Sequence, residues 1–198
     1  MKWPGSLLAS LNCDGRLGAA LLACLALLLA LACGGTQFTE LLRYERTAIA
    51  HGEWWRLVSA HWVHLGPRHL LPDAAGLVLL WALYARELRP GSWLLMLACA
   101  TVAIDAGLWW GQNDIHWYVG ISGVLHGAWA AGAAAVALKG GRAGWVMLAA
   151  LATKLAVEHY AGDTLFTSGF PVVSVAHVYG ALGGLLAMAA LVLLRKPL

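Results

Sequence analysis

Long apolar runs separated by short polar segments are the main pattern along this chain. The runs fall at about 17–33, 70–85, 92–110, 121–138, 144–160 and 173–194. A helix needs roughly 20 mostly apolar residues to cross the hydrocarbon core of a bilayer. The pattern therefore predicts an all-α membrane protein with six transmembrane helices in a single domain, residues 1–198. The first run has an alternative interpretation as a secretory signal, because Lys2 precedes it and Ala30-Leu31-Ala32 resembles a cleavage site.

Composition agrees with a protein that lies mostly within a membrane. Of 198 residues, 61% are apolar and only 12% are charged, which excludes an ordinary soluble domain and a disordered chain. The formal net charge of +3 is too small and too scattered for a nucleic-acid surface. The four cysteines have no CxxC spacing, so neither a zinc site nor a disulfide framework is indicated.

The basic residues between the predicted helices indicate the orientation of the chain. One side receives Lys2, Arg16, Arg86, Arg89, Lys139, Arg142, Arg195 and Lys196, and the other receives Arg43, Arg46, Arg56 and Arg68. By the positive-inside rule, the richer side is cytoplasmic, and it carries both termini. The first outer loop, residues 36–61, contains Trp54 and Trp55, and we expect it to lie against the lipid of the outer leaflet.

Ionisable residues inside the apolar runs are candidates for function, because each costs about 2.5–3.5 kcal/mol to insert. They are His69, Asp73, Asp105, His126, Lys154, Glu158, His159 and His177. The predicted second, fourth and sixth helices run in the same direction. His69, Ser122 and His177 therefore should lie at a similar depth, near the outer face.

Two GxxxG pairs suggest that the fourth and sixth helices pack closely. Gly123 and Gly127 form the first pair and Gly180 and Gly184 the second. Such packing would bring the Ser122 hydroxyl within reach of the His177 imidazole, and a serine becomes a good nucleophile only beside a base. The alternatives are a helix-capping serine and a solvated histidine. His126, one turn after Ser122, is either a competing base or a residue that packs behind the active histidine.

The motifs around these residues resemble those of rhomboid intramembrane serine proteases. Gly120-Ile121-Ser122-Gly123 is similar to the GxSG motif, and Ala176 to Gly180 to the AHxxG motif. Trp55-Arg56 resembles the Trp-Arg pair of the rhomboid first loop, and His64 with His69 the second-helix histidines. A closer resemblance, to the rhombosortase branch, lies in "LLRYERTAIAHGEWWRLVSAHWVHLGPRHLL", "YVGISGVLHG" and "AHVYGALGGLL".

The resemblance implies a six-helix rhomboid-type bundle in the inner membrane of a Gram-negative bacterium, with its active site open to the periplasm. It implies cleavage of exported proteins that end in a Gly-Gly motif, a transmembrane helix and a basic tail. No cofactor and no metal are expected.

The resemblance also implies roles for individual residues. Ser122 would be the nucleophile and His177 the general base, supported by His126, Gly120, Gly123 and Gly180. With only two members, such a pair lacks an orienting carboxylate, so packing must hold the imidazole. The oxyanion donors would be the Ser122 backbone N–H and His69. Asp73 stands where rhomboids usually have an oxyanion-binding Asn, so it must be protonated or point elsewhere.

Two other functions stay open at this point. His61, His64, His69 and Asp73 offer ligands suited to zinc, although there is no HExxH motif. A non-catalytic rhomboid-like protein that binds transmembrane segments is the other. Lys154 and Glu158, one turn apart, are expected to form an internal ion pair, and a recognition role for Glu158 is the alternative.

Overall fold

Helices make up most of the computed structural model, which describes residues 7–161 and 173–194. They are α1 (Leu7–Ser10), α2 (Gly15–Cys33), α3 (Gly35–Leu42), α4 (Arg46–Ala50), α5 (Arg56–Ser59), α6 (Pro67–Tyr84), α7 (Pro90–Ala106), α8 (Ser122–Leu138), α9 (Arg142–Ala161) and α10 (Ser174–Leu193). Two short strands, β1 (Tyr44–Glu45) and β2 (Trp117–Tyr118), pair antiparallel, which the prediction of an all-α fold did not include.

The six longest described helices fall where the apolar runs predict them. Among the described residues, three helices are long and apolar enough to cross a membrane: Gly15–Cys33, Pro90–Gly111 and Ser174–Leu193. The helix α8 is apolar but shorter, with 17 residues. The basic residues Lys2, Arg195 and Lys196 of the orientation argument lie outside the described ranges.

The start of α6 differs from the sequence-based prediction. The helix begins at Pro67, in the N-terminal position where a missing N–H costs nothing. A second proline, Pro72, lies inside the helix. His69 is nevertheless in the first turn, as expected.

The helix α8 occupies the centre of the bundle, in contact with α6, α7, α9 and α10. Its buried residues are mostly glycine and alanine, and small side chains let helix backbones approach closely in a membrane. The peripheral α2 packs mainly on α6 and α3 and buries few of its own residues. Because α8 is central, its first residue, Ser122, lies close to the surrounding helices.

The closest helix pair is α8 with α10, and the glycines of the two GxxxG pairs face each other. A Cβ atom at Gly180 would lie 1.9 Å from the Gly123 carbonyl oxygen, and one at Gly184 would lie 2.2 Å from that of Gly127. Even an alanine therefore does not fit at these positions. The predicted close approach of the two helices is confirmed.

The segment between α3 and α6 is tied to the segment that precedes Ser122. The Arg46 guanidinium donates hydrogen bonds to the carbonyl oxygens of Leu108, Trp109 and Gln112, at the end of a π-helical turn, Gly107–Gly111, that extends α7. The Gly120 N–H donates to the Ala60 carbonyl oxygen at 3.0 Å. Together with the β1–β2 pair, these bonds hold the approach to Ser122 through one arginine side chain and several main-chain contacts.

Candidate active site

Ser122 and His177 are in direct contact at the end of the α8–α10 interface. The Ser122 hydroxyl and His177 Nε2 are 2.9 Å apart, a normal hydrogen-bond distance. Ser122 is the first residue of α8, and His177 lies in the first turn of α10. The His177 side chain is almost fully buried, with 5% exposed. The structure therefore brings together the hydroxyl and imidazole that the glycine pattern indicated.

Gly120 shapes the turn that presents Ser122. Its φ of +111° lies in a region that favours glycine. The buried Tyr118 hydroxyl donates a hydrogen bond to the Gly120 carbonyl oxygen at 2.8 Å. Burial, reinforced by the Asp73 carboxylate, raises the pKa of Tyr118 well above its usual range, so the phenol remains a donor. The sequence analysis did not identify Tyr118, because a two-residue strand leaves no periodicity to detect.

His126 stacks on the histidine that contacts Ser122. The His126 and His177 rings are nearly parallel, at 12°, with centroids 4.1 Å apart. His126 Nδ1–H donates to the Ser122 backbone carbonyl at 2.7 Å, whereas the Ser122 hydroxyl bonds to His177. Of the two interpretations, this geometry matches packing behind His177 and not a competing base.

His69 and Asp73 lie on the other side of Ser122, on α6. His69 Nε2 would be 2.8 Å from a Cβ atom at Gly120, so the imidazole reaches the turn only because position 120 lacks a side chain. Asp73 Oδ2 accepts a hydrogen bond from His64 Nε2 at 3.1 Å and lies 3.8 Å from His69 Nε2. Asp73 Oδ2 thus bonds to His64, and it would also lie 3.5 Å from a Cβ atom at Gly120.

Glu158 supplies a contact that the sequence analysis did not expect. His177 Nδ1–H donates to Glu158 Oε2 at 2.9 Å, and Lys154 Nζ donates to Glu158 Oε1 at 2.5 Å. The predicted Lys154–Glu158 ion pair is confirmed. The prediction that packing alone holds the imidazole was wrong, because α9 turns a buried carboxylate toward the His177 ring.

These side chains line a cavity of about 450 Å³ between α6, α8 and α9. Ser122, His177, Glu158, Lys154 and His69 all contribute to its wall. The rest of the wall is largely apolar and includes Leu79, Leu83, Leu125 and Met147. An apolar cavity with a few convergent polar groups is typical of a binding site.

The residues of the metal hypothesis do not form one ligand set. His61 Nε2 bonds to Asp105 Oδ1 at 3.3 Å, on α7, whereas His64 and His69 gather at Asp73. A different group, His126, Glu158 and His177, has ligand atoms within 4.8 Å of one another. Its two imidazoles are stacked nearly parallel, and a metal ion binds in the plane of each ring. Two parallel planes cannot both contain one ion, so this geometry does not suit chelation.

The fold and the site together define a helical membrane protein with a serine-histidine pair at the wall of an apolar cavity. The chain matches the Rhomboid domain family over residues 51–194. It belongs to the rhomboid family, whose members are generally intramembrane serine proteases. No curated protein and no solved structure shows significant similarity to the chain.

Proposed function

We propose that this protein is an intramembrane serine endopeptidase in which Ser122 is the nucleophile and His177 the general base. The observation that carries the proposal is the 2.9 Å contact between the Ser122 hydroxyl and His177 Nε2, at the wall of an apolar cavity. A serine hydroxyl needs such a neighbouring base to attack a carbonyl carbon. Membership of the rhomboid family supports the same chemistry.

The reaction proceeds through an acyl-enzyme. His177 Nε2 accepts the hydroxyl proton as Ser122 Oγ bonds to the substrate carbonyl carbon. The carbon–nitrogen bond then breaks, and the leaving amine takes the proton from His177. Water attacks the ester, with His177 again as base, and releases the acyl product and the free serine.

The oxyanion of this reaction lies beside the turn at Gly120. Ser122 is the first residue of α8, so its backbone N–H has no partner within the helix and is a suitable donor. The His69 ring, which reaches the same turn, is the second donor that we propose. Removing one oxyanion donor typically costs about a hundredfold to a thousandfold in rate. Asp73 Oδ2 accepts from His64 and lies 3.8 Å from His69 Nε2, and its proposed role is to orient the His69 ring.

For the substrate, we propose exported proteins with a C-terminal Gly-Gly motif, a transmembrane helix and a basic tail. The resemblance of three segments to rhombosortases supports this choice, together with the largely apolar cavity at Ser122. The proposed location is a bacterial inner membrane, with six crossings, both termini in the cytoplasm and the site open to the periplasm. The excess of Lys and Arg on one side of the chain supports this orientation.

Co-expression with a reporter that carries such a tail tests the proposal. We expect the wild type to shorten and release the reporter, and Ser122→Ala and His177→Ala to leave it intact. Ser10→Ala and His51→Ala are matched controls, because they remove the same groups at exposed positions that do not line the cavity. Cleavage by the Ser122→Ala variant would contradict serine chemistry. Capture of the reporter by the wild type without cleavage would favour the non-catalytic binder of transmembrane segments.

A further inference from the structure

Glu158 lies where it can control the orientation and the protonation pattern of His177. Its side chain is 5% exposed and projects from α9, near the C-terminal end of that helix. One carboxylate oxygen accepts the Nδ1–H of His177 at 2.9 Å, and the other accepts from Lys154 at 2.5 Å. Each carboxylate oxygen therefore has a defined partner, and these two bonds hold the carboxylate group against the imidazole.

This contact has a direct consequence for the base. When Nδ1 carries the proton and donates it to Glu158, the Nε2 lone pair is left to face the Ser122 hydroxyl. A carboxylate in this position also stabilises the imidazolium that forms during attack. The stack with His126 at 4.1 Å limits tilting of the same ring. The carboxylate thus determines which nitrogen can act as a base, and the stack helps to hold the plane of the ring.

We propose that Glu158 is a positioning residue for His177, the third member of a Ser122–His177–Glu158 triad held in place by Lys154. This inference rests on the proposed serine chemistry and goes beyond it, since that chemistry requires only the two residues in contact with the substrate. The competing explanation is structural: Glu158 only neutralises Lys154 inside the membrane.

A double substitution separates the two explanations. Lys154→Met/Glu158→Met replaces the ion pair by apolar side chains of similar size, an exchange that buried pairs often tolerate. If the pair is only structural, this variant keeps its activity. If Glu158 positions His177, the variant folds but loses most of its activity. Lys139→Met/Glu87→Met is the matched control, because it removes a Lys–Glu pair that lies away from the cavity.

The readout is the rate at which a fluorophosphonate labels Ser122 in purified protein in detergent, with thermal unfolding measured in parallel. In this reaction the Oγ–phosphorus bond forms, fluoride leaves and His177 accepts the serine proton. We expect the Met/Met variant to be labelled about 10²- to 10⁴-fold more slowly, the range for loss of a well-placed general base. The Lys139/Glu87 control should be labelled at the wild-type rate. A folded Met/Met variant that is labelled at the wild-type rate would overturn the inference.

Glu158→Gln provides a second test if the double variant does not fold. Lys154 can only donate, so it selects the amide oxygen and leaves the amide NH₂ facing His177 Nδ1. The imidazole must then carry its proton on Nε2, and labelling should fall as strongly as in the double variant. Unchanged labelling of Glu158→Gln would also overturn the inference.

The comparison of labelling with thermal unfolding distinguishes positioning from a purely structural role. If Glu158 only neutralises Lys154, Glu158→Gln should lower the labelling rate no further than its loss of folded protein explains. If Glu158 positions His177, labelling should fall strongly while the unfolding temperature stays close to that of the wild type. A labelling rate that falls only in step with stability counts against the proposal. Absence of any Ser122-dependent labelling in the wild type would instead contradict the proposed function, and this inference with it.

Discussion

Gly180→Ala tests whether the close approach of α8 and α10 is what places His177 beside Ser122. The added Cβ atom would lie 1.9 Å from the Gly123 carbonyl oxygen, whereas ordinary contact begins at 3.4 Å. Relief of this clash requires the two backbones to separate by about 1.5 Å, the difference between the two distances. The carbonyl oxygen belongs to the backbone of one helix and the Cβ atom is bonded directly to the backbone of the other, so no side-chain rotation can absorb the shift.

The separation should act on the reacting atoms, because His177 lies one turn from Gly180 and Ser122 adjoins Gly123. A shift of about 1.5 Å would lengthen the 2.9 Å contact beyond hydrogen-bond distance. Misplacement by about 1 Å can cost about a hundredfold in rate. We therefore expect the fluorophosphonate labelling rate of Gly180→Ala to fall at least a hundredfold.

Two alanine variants serve as controls in the same assay. Gly91→Ala introduces a Cβ atom with nothing within 4 Å, and it should leave labelling and thermal stability close to the wild type. Gly183→Ala clashes with the Cys99 carbonyl oxygen on α7 at 2.5 Å, so it perturbs α10 on a different face. Labelling of Gly180→Ala at the wild-type rate would refute the reasoning. If Gly180→Ala and Gly183→Ala lose the same fraction of the labelling rate, the cause is lost stability and not displacement of the reacting atoms.

Two further predictions concern residues that support the site without touching the substrate. Tyr118→Phe removes the donor to the Gly120 carbonyl oxygen and leaves a buried acceptor without its partner, at a cost of about 1–3 kcal/mol. Thermal unfolding and labelling should both show this loss. The raised pKa keeps Tyr118 protonated, so the pH profile of labelling should fall at the same alkaline pH in wild type and variant. An alkaline fall that is absent from the variant would contradict this. Arg56→Ala removes bonds to the Glu40 and Arg43 carbonyl oxygens and to the Glu53 carboxylate, and limited proteolysis should show faster cleavage between residues 40 and 56. Arg56→Lys should recover this resistance only in part, since an ammonium cannot reproduce the guanidinium fork; full recovery would count against the assigned bonds.

The sequence predicted those features that depend on local patterns. Apolar runs located the six long helices, and two GxxxG pairs indicated which helices approach closely enough to join Ser122 and His177. These signals depend on composition and spacing within a single helix. These features can therefore be predicted without knowing how the helices are rotated relative to one another.

The contacts that escaped prediction depend on rotation between elements. The run at 144–160 contains Lys154 and Glu158 one turn apart, which indicates their ion pair but not the direction in which α9 turns them. Glu158 and His177 are 19 residues apart on different helices, and no periodicity connects them. The Asp73–His64 contact likewise joins a helix to the segment before it, across the turn at Gly66 and Pro67.

The backbone bonds that hold the approach to Ser122 bear on how this protein can change during evolution. The Gly120 N–H and the β1–β2 pair use main-chain atoms, which every residue except proline supplies in full. Side chains in these segments, apart from Arg46 and Tyr118, can thus be exchanged while the turn at Gly120 keeps its shape. The sequence of the segment between α3 and α6 is therefore under weaker constraint than the glycines between α8 and α10, which leave almost no freedom for substitution.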